Sequence, residues 1–131
     1  LQMILIGIGG AIGAALRYSV SLLLLTNETA AFPFATVAVN LAGCFLLGML
    51  SSGLELKLTA NPDYLSAFKT GLIGSFTTFS TFSVEVIQLL QHHFYFSAIL
   101  YIFISAIFGL IFVALGMKIG KSFSEREEPV C

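Results

Sequence analysis

One stretch concentrates the side chains that could do chemistry: Gly71-Leu72-Ile73-Gly74-Ser75-Phe76-Thr77-Thr78-Phe79-Ser80-Thr81-Phe82-Ser83-Val84-Glu85. From Ser75 to Ser83, six of nine residues carry a hydroxyl, the other three are phenylalanines, and none is aliphatic. Phe76, Phe79 and Phe82 recur every third residue, so neighbouring rings project to similar sides of a helix. An aromatic ring has a negative face and a positive edge. A path lined by ring edges and hydroxyl donors attracts anions yet offers no full positive charge to trap them, a compromise that conduction requires. Ser and Thr can fold back onto carbonyls one turn earlier, and Gly74 weakens the helix further. The run therefore predicts an unwound turn near residues 74–78. Carbonyls freed at membrane depth persist only where protein, water or an ion satisfies them, and broken transporter helices use such carbonyls to hold Na⁺.

Four further polar sites stand in apolar surroundings. Glu85 lies about 20 residues into its span and needs a polar partner, a proton or a water-filled cavity. Arg17, late in the first span, either snorkels to the interface or forms a cation at the mouth of an aqueous vestibule. Asn40 has two readings, an interhelical hydrogen bond or a pair of amide donors suited to a dehydrated anion. Tyr101, Ser105 and Gly109, spaced by four, share one helical face, which either extends the polar stripe or serves helix packing.

The elements that must position these groups follow from the solvent the chain expects. Apolar residues make up 57% of the 131 and charged residues 10%, with a mean hydropathy of +0.97. A soluble domain carries about a quarter charged residues, so this composition belongs in lipid. Stretches of roughly 20 apolar residues can cross the hydrocarbon core. Four occur, at about residues 3–25, 33–54, 64–90 and 94–117, with a polar and frayed tail expected at 118–131. Residues 1–131 thus form a single all-α transmembrane domain. Tyr18, Tyr64 and Tyr95 are candidate interfacial anchors. The first segment lacks a basic leading region and is too long for a signal-peptide core, so it is not expected to be cleaved.

Small residues at four-residue steps (Gly9 and Gly13, Ser105 and Gly109, Gly116 and Gly120) predict closely packed helices. Gly7–Gly13 is no dinucleotide fingerprint, because no strand precedes it and the spacing breaks at Ile12. A net charge of −1 speaks against a nucleic-acid partner. His92-His93 lacks a third ligand, no nucleophile motif accompanies it, and an enzyme is not expected. Cys44 and Cys131 suggest no disulfide framework.

The Gly74–Glu85 run resembles the signature of the Fluc (CrcB-type) fluoride channels, as do Gly9-Gly10-Ala11-Ile12-Gly13-Ala14-Ala15-Leu16-Arg17-Tyr18 and Asn40-Leu41-Ala42-Gly43, in the same order along the chain. The resemblance implies a multi-pass protein of the cell membrane that exports fluoride passively. It further implies an antiparallel, dual-topology dimer with two fluoride pathways and a structural Na⁺ at its centre. By that resemblance Phe79 and Phe82 are the aromatic residues beside the ion path and Asn40 the pore asparagine. Gly74 and Thr77 would supply backbone carbonyls to Na⁺, and Ser80, Thr81 and Glu85 the polar track, with Tyr101 and Ser105 on its fourth-helix side. Arg17 would be the vestibule cation, and Gly109 stands where a hydroxyl residue is expected.

Two alternatives belong to other classes. Small proton-coupled multidrug exporters resemble one another in a lone Glu in the first helix, where this chain has Arg17. A non-conducting assembly subunit would carry no ion flux. Basic residues favour one side, with Lys57, Lys118, Lys121 and Arg126 on the side of the termini, which predicts cytoplasmic termini. An antiparallel homodimer should show little such bias, so the expected partner is a second copy or an oppositely biased sibling chain.

Overall fold

The computed structural model describes residues 1–24, 32–54 and 61–125. Most of the predicted Thr26–Phe32 and Glu55–Asp63 loops, with Lys57, and Arg126 in the tail lie outside the described residues. Helix α1 spans Gln2–Leu24. Helix α2 spans Phe34–Met49 and widens into a π-helical turn, Leu50–Leu54. The third apolar segment comes in two pieces. Its first piece, α3, covers residues 62–76 and consists of Pro62–Ser66, the π-helical Ala67–Ile73 and Gly74–Phe76. Its second piece, α4, spans Phe79–Gln91, and α5 runs unbroken over Tyr95–Glu125.

Local chemistry explains the ends. Asn61 caps α3 by accepting the Asp63 N–H at 2.9 Å, with Pro62 in the first turn. At the other end of the segment, Phe94 N–H reaches Leu89 O at 2.8 Å and His93 N–H reaches Leu90 O at 3.1 Å. With His93 at φ 61, this is a Schellman stop in which His occupies the glycine position. It turns α4 into α5 within three residues, and the His93 ring, at 2.9 Å from the Tyr95 hydroxyl, stays exposed.

Glycines set the packing. An added Cβ at Gly9 would lie 2.6 Å from the Ala67 carbonyl oxygen, and one at Gly71 equally close to that of Ile6, so α1 and α3 touch backbone to backbone. Gly48, Gly116 and Gly120 do the same between α2 and α5. In both pairs residue numbers rise together along the contact, so each pair runs parallel, as an up-down arrangement of four spans requires. Such close approach replaces the hydrophobic drive that lipid does not provide. The buried core is accordingly small, made of Val39, Leu50, Ile73, Leu89, Ala98 and Tyr101, while Ile4, Ile8, Ile12 and Leu16 line an outward face of α1. This is a multi-pass membrane protein.

One expectation needs correcting. The sequence predicts fraying from Lys118, yet α5 is helical through Glu125. At about 1.5 Å per residue, its 31 residues exceed a hydrocarbon core about 30 Å thick. Gly116 and Gly120 keep its last turns seated on α2, and Lys121 pairs with Glu125 at 3.7 Å. Packing keeps this helix wound past the loss of hydropathy at Lys118.

Candidate functional site

The third segment unwinds at Thr77 (φ −77, ψ 159) and Thr78 (φ −150, ψ 124), inside the predicted interval. Thr77 N–H makes a last helical bond to Ile73 O at 3.0 Å. Its hydroxyl folds back to the carbonyls of Ile73 at 3.2 Å and Gly74 at 3.4 Å. Thr78 then caps α4, its Oγ1 accepting the Thr81 N–H at 3.1 Å and donating to Thr81 Oγ1 at 2.9 Å. Asn40 clamps the extended residue from α2. Its Nδ2 donates to Thr78 O at 3.0 Å, and its Oδ1 accepts the Thr78 N–H at 2.8 Å.

These bonds decide which carbonyls go free. In a continuous helix Thr78 N–H would bond Gly74 O, and Thr81 N–H would bond Thr77 O. Asn40 takes the first donor and the Thr78 hydroxyl the second. Gly74, exposed on the surface of the single chain, keeps only the 3.4 Å bond from the Thr77 hydroxyl, and half-buried Thr77 loses its helical donor, so both carbonyl oxygens retain lone pairs that suit a hard cation.

Glu85 finds its polar partners about two turns beyond the cap. Thr36 Oγ1 donates to its Oε1 and the Tyr101 hydroxyl to its Oε2, each at 2.8 Å. Both carboxyl oxygens thus have the polar partner that an intramembrane Glu requires.

Aromatic rings run alongside. Phe79, 80% exposed, stacks on half-buried Phe82 with centroids 5.8 Å apart. Phe82 meets Tyr101 at 4.8 Å, and Tyr101, wholly buried, meets Phe32 at 5.6 Å nearly edge-on. Beside the break a cavity of about 230 Å³ opens between α1, α2 and the cap. Arg17 and Ser21 line it from α1, Thr36 from α2, and Thr78 and Thr81 from the break. The positive charge of Arg17 thus faces several hydroxyl residues.

The structure brings Asn40, Thr77, Gly74, Ser80, Thr81, Phe79, Phe82, Glu85 and Tyr101 to the break or next to it. Ser105, one turn along α5 from Tyr101, has a buried hydroxyl with no hydrogen-bond partner among the described residues. At Gly109 an added Cβ would lie 3.8 Å from Cys44 Sγ, so the thiol abuts the space where a hydroxyl residue is expected. Three participants escape the sequence reading. Thr78 and Thr36 hold Asn40 and Glu85, and Phe32 packs on Tyr101. The spacing of 36 and 40 by four is the available signal for Thr36.

Comparison with known proteins decides the family. The model of the family described as CrcB-like protein, Camphor Resistance (CrcB), matches residues 4–117, which is most of the chain and includes the whole broken segment. This chain belongs to the CrcB family. Among its relatives, the fluoride-specific ion channel FluC 1 of a Bacillus cereus strain is 47% identical over 118 residues, 89% of this chain and 85% of the relative. The protein of the same name from a bovine strain of Staphylococcus aureus is 37% identical over 124 residues, 95% of this chain and all of the relative. The CrcB match begins at Ile4 and ends at Met117, so the charged last turns of α5 lie beyond it.

Proposed function

We propose that this CrcB chain is one subunit of a fluoride-selective channel, through which cytoplasmic fluoride leaves the cell passively and its toxicity is reduced. The observation that carries the reading is the helix break clamped by Asn40, lined by hydroxyls and phenylalanines, in a chain whose relatives bear the name of fluoride-specific channels. Arg17 concentrates anions in the cavity beside the break. The ion sheds water against the ring edges of Phe79 and Phe82 and the donors of Asn40, Ser80 and Thr81. Asn40 Nδ2 keeps one N–H beyond the bond it gives to Thr78. Near Glu85 the ion competes for the hydroxyls of Thr36 and Tyr101, and Ser105 offers the next donor along α5.

A second chain completes the assembly in this reading. Gly74, Phe79 and Ser80 are exposed on the single subunit, and freed carbonyls cannot face lipid. An antiparallel copy would bring two breaks together, and the carbonyl oxygens of Gly74 and Thr77 would hold a structural Na⁺ there. When bound, the ion supplies positive charge to oxygens that the unwound helix cannot satisfy.

Fluoride efflux from liposomes holding only this protein tests the proposal. A specific electrode should record fluoride release with chloride retained. Silence from correctly assembled protein would leave a non-conducting assembly subunit as the reading.

A further inference from the structure

We infer that Phe32 is a positioning residue for permeation and acts through Tyr101, an inference that rests on the channel reading above. Phe32 precedes the predicted second span and carries no polar group, so nothing in its chemistry announces a role. Its placement does. Tyr101 is fully buried and meets rings on two sides, Phe82 at 4.8 Å and Phe32 at 5.6 Å with planes 69° apart. Its hydroxyl reaches Glu85 Oε2 at 2.8 Å. A hydroxyl at the far end of a six-membered ring swings widely when the ring tilts, and a displacement of roughly 1 Å breaks such a bond. Whatever stops the tilt holds the hydroxyl.

Phe32 cannot easily yield. Phe34 N–H donates to Phe32 O at 3.0 Å across Pro33, whose φ of −82 and ψ of 68 make an inverse γ-turn. Proline fixes that φ, so the turn is pre-formed. Behind Phe32 stands the Phe34 ring, with centroids 4.8 Å apart. The result is a run of five rings from Phe34 through Phe32, Tyr101 and Phe82 to Phe79 at the break.

The spacing adds a second argument. Residues 32, 36 and 40 fall at steps of four. Thr36 holds Glu85 directly, Asn40 holds Thr78, and Phe32 holds the other donor to Glu85. The turn before α2 and the first two turns of α2 therefore hold Glu85, its Tyr101 donor and the break from one short stretch of chain. Phe32 is the apolar member of that stretch.

Fluoride efflux from liposomes carrying the full chain tests this in Phe32→Leu, with Phe32→Met as a second aliphatic variant should leucine impair assembly. Each should slow efflux roughly three- to tenfold, the weight of one aromatic pair, while Phe32→Tyr keeps the ring and restores the rate. A packing role alone would lower thermal stability without coupling to the hydroxyl. The decisive variant is therefore Phe32→Leu combined with Tyr101→Phe. Once the hydroxyl is gone, losing Phe32 should slow efflux no further than Tyr101→Phe alone. Wild-type rates in both aliphatic variants, or losses that multiply in the double variant, overturn the inference while leaving the channel reading intact. Absence of efflux from the unaltered protein removes both.

Discussion

Asn40 on α2 holds both backbone groups of Thr78, donating to its carbonyl at 3.0 Å and accepting its N–H at 2.8 Å, at the point where the third segment unwinds. One amide thus replaces two helical bonds and keeps the break open. Asn40→Leu should leave both groups unpaired and lower stability by about 1–3 kcal/mol for each. Asn40→Asp keeps the acceptor, so its stability loss should be smaller. Its fluoride flux should nevertheless fall at least as far, because a negative charge then faces an anion path. Thermal unfolding and efflux, measured on the same preparations, check the crossed order. Equal ranking in both assays would mean that Asn40 serves the fold alone.

The two central phenylalanines should separate flux from assembly. Phe79→Ile and Phe82→Ile remove ring edges that aliphatic side chains cannot imitate, and each should cut fluoride flux severely while the proposed dimer survives. Phe79 is 80% exposed on the subunit, whereas Phe82 also packs on Tyr101. Phe82→Ile loses two ring contacts within the chain and Phe79→Ile one, so Phe82→Ile should cost more stability, by about 0.5–1.5 kcal/mol. Unchanged flux in both variants removes the proposed pathway.

Two glycines of α5 should respond in opposite ways. Among the described residues, a Cβ at Gly109 meets only Cys44 Sγ, at ordinary contact distance, so Gly109→Ser should fold normally. A Cβ at Gly116 would lie 2.9 Å from Met49 N and closer still to the Phe45 carbonyl. Gly116→Ala should push α5 off α2 and cost about 1–3 kcal/mol. Thermal midpoints of the two variants give the comparison, and a larger loss at Gly109 would contradict the packing described.

Exchanging Na⁺ for a bulky organic cation should lower the thermal midpoint of the assembled protein. Thr77→Val, which removes the hydroxyl but leaves the Thr77 carbonyl, should preserve that Na⁺ dependence. A midpoint indifferent to Na⁺ would show that the freed carbonyls are satisfied in another way.

The break is legible in the sequence because its causes are local: Gly74 and a run of hydroxyls that compete for helical carbonyls. Which threonine caps α4 is not. That choice depends on Asn40, 38 residues away, taking the Thr78 N–H. Thr36 is hidden for a related reason. A lone threonine in an apolar run reads as packing until Glu85 is placed opposite it. The continuation of α5 past Met117 escapes a hydropathy reading because hydropathy reports the lipid boundary, whereas the close seat of Gly116 and Gly120 keeps the helix wound. The π-helical turns at Leu50–Leu54 and Ala67–Ile73 leave no signal in residue type.

Orientation sets the charge pattern against the proposed dimer. Parallel pairing of α1 with α3 and of α2 with α5 puts the start of α1 and the ends of α2 and α5 on one side. Lys118 and Lys121 lie on that side, and the sequence adds Lys57 and Arg126. The turn between α4 and α5 on the opposite side contains no Lys or Arg. Taken alone, this bias favours cytoplasmic termini for every copy. An antiparallel homodimer requires insertion both ways. The antiparallel dimer proposed above would cover exposed Gly74 with the polar groups of a symmetry-related break. With this gene expressed alone and Cys44 replaced by alanine, Cys131 should be labelled by an impermeant thiol reagent from both sides of the membrane. Labelling from the cytoplasmic side only, with no fluoride flux, would exclude the homodimer and leave pairing with an oppositely oriented sibling chain.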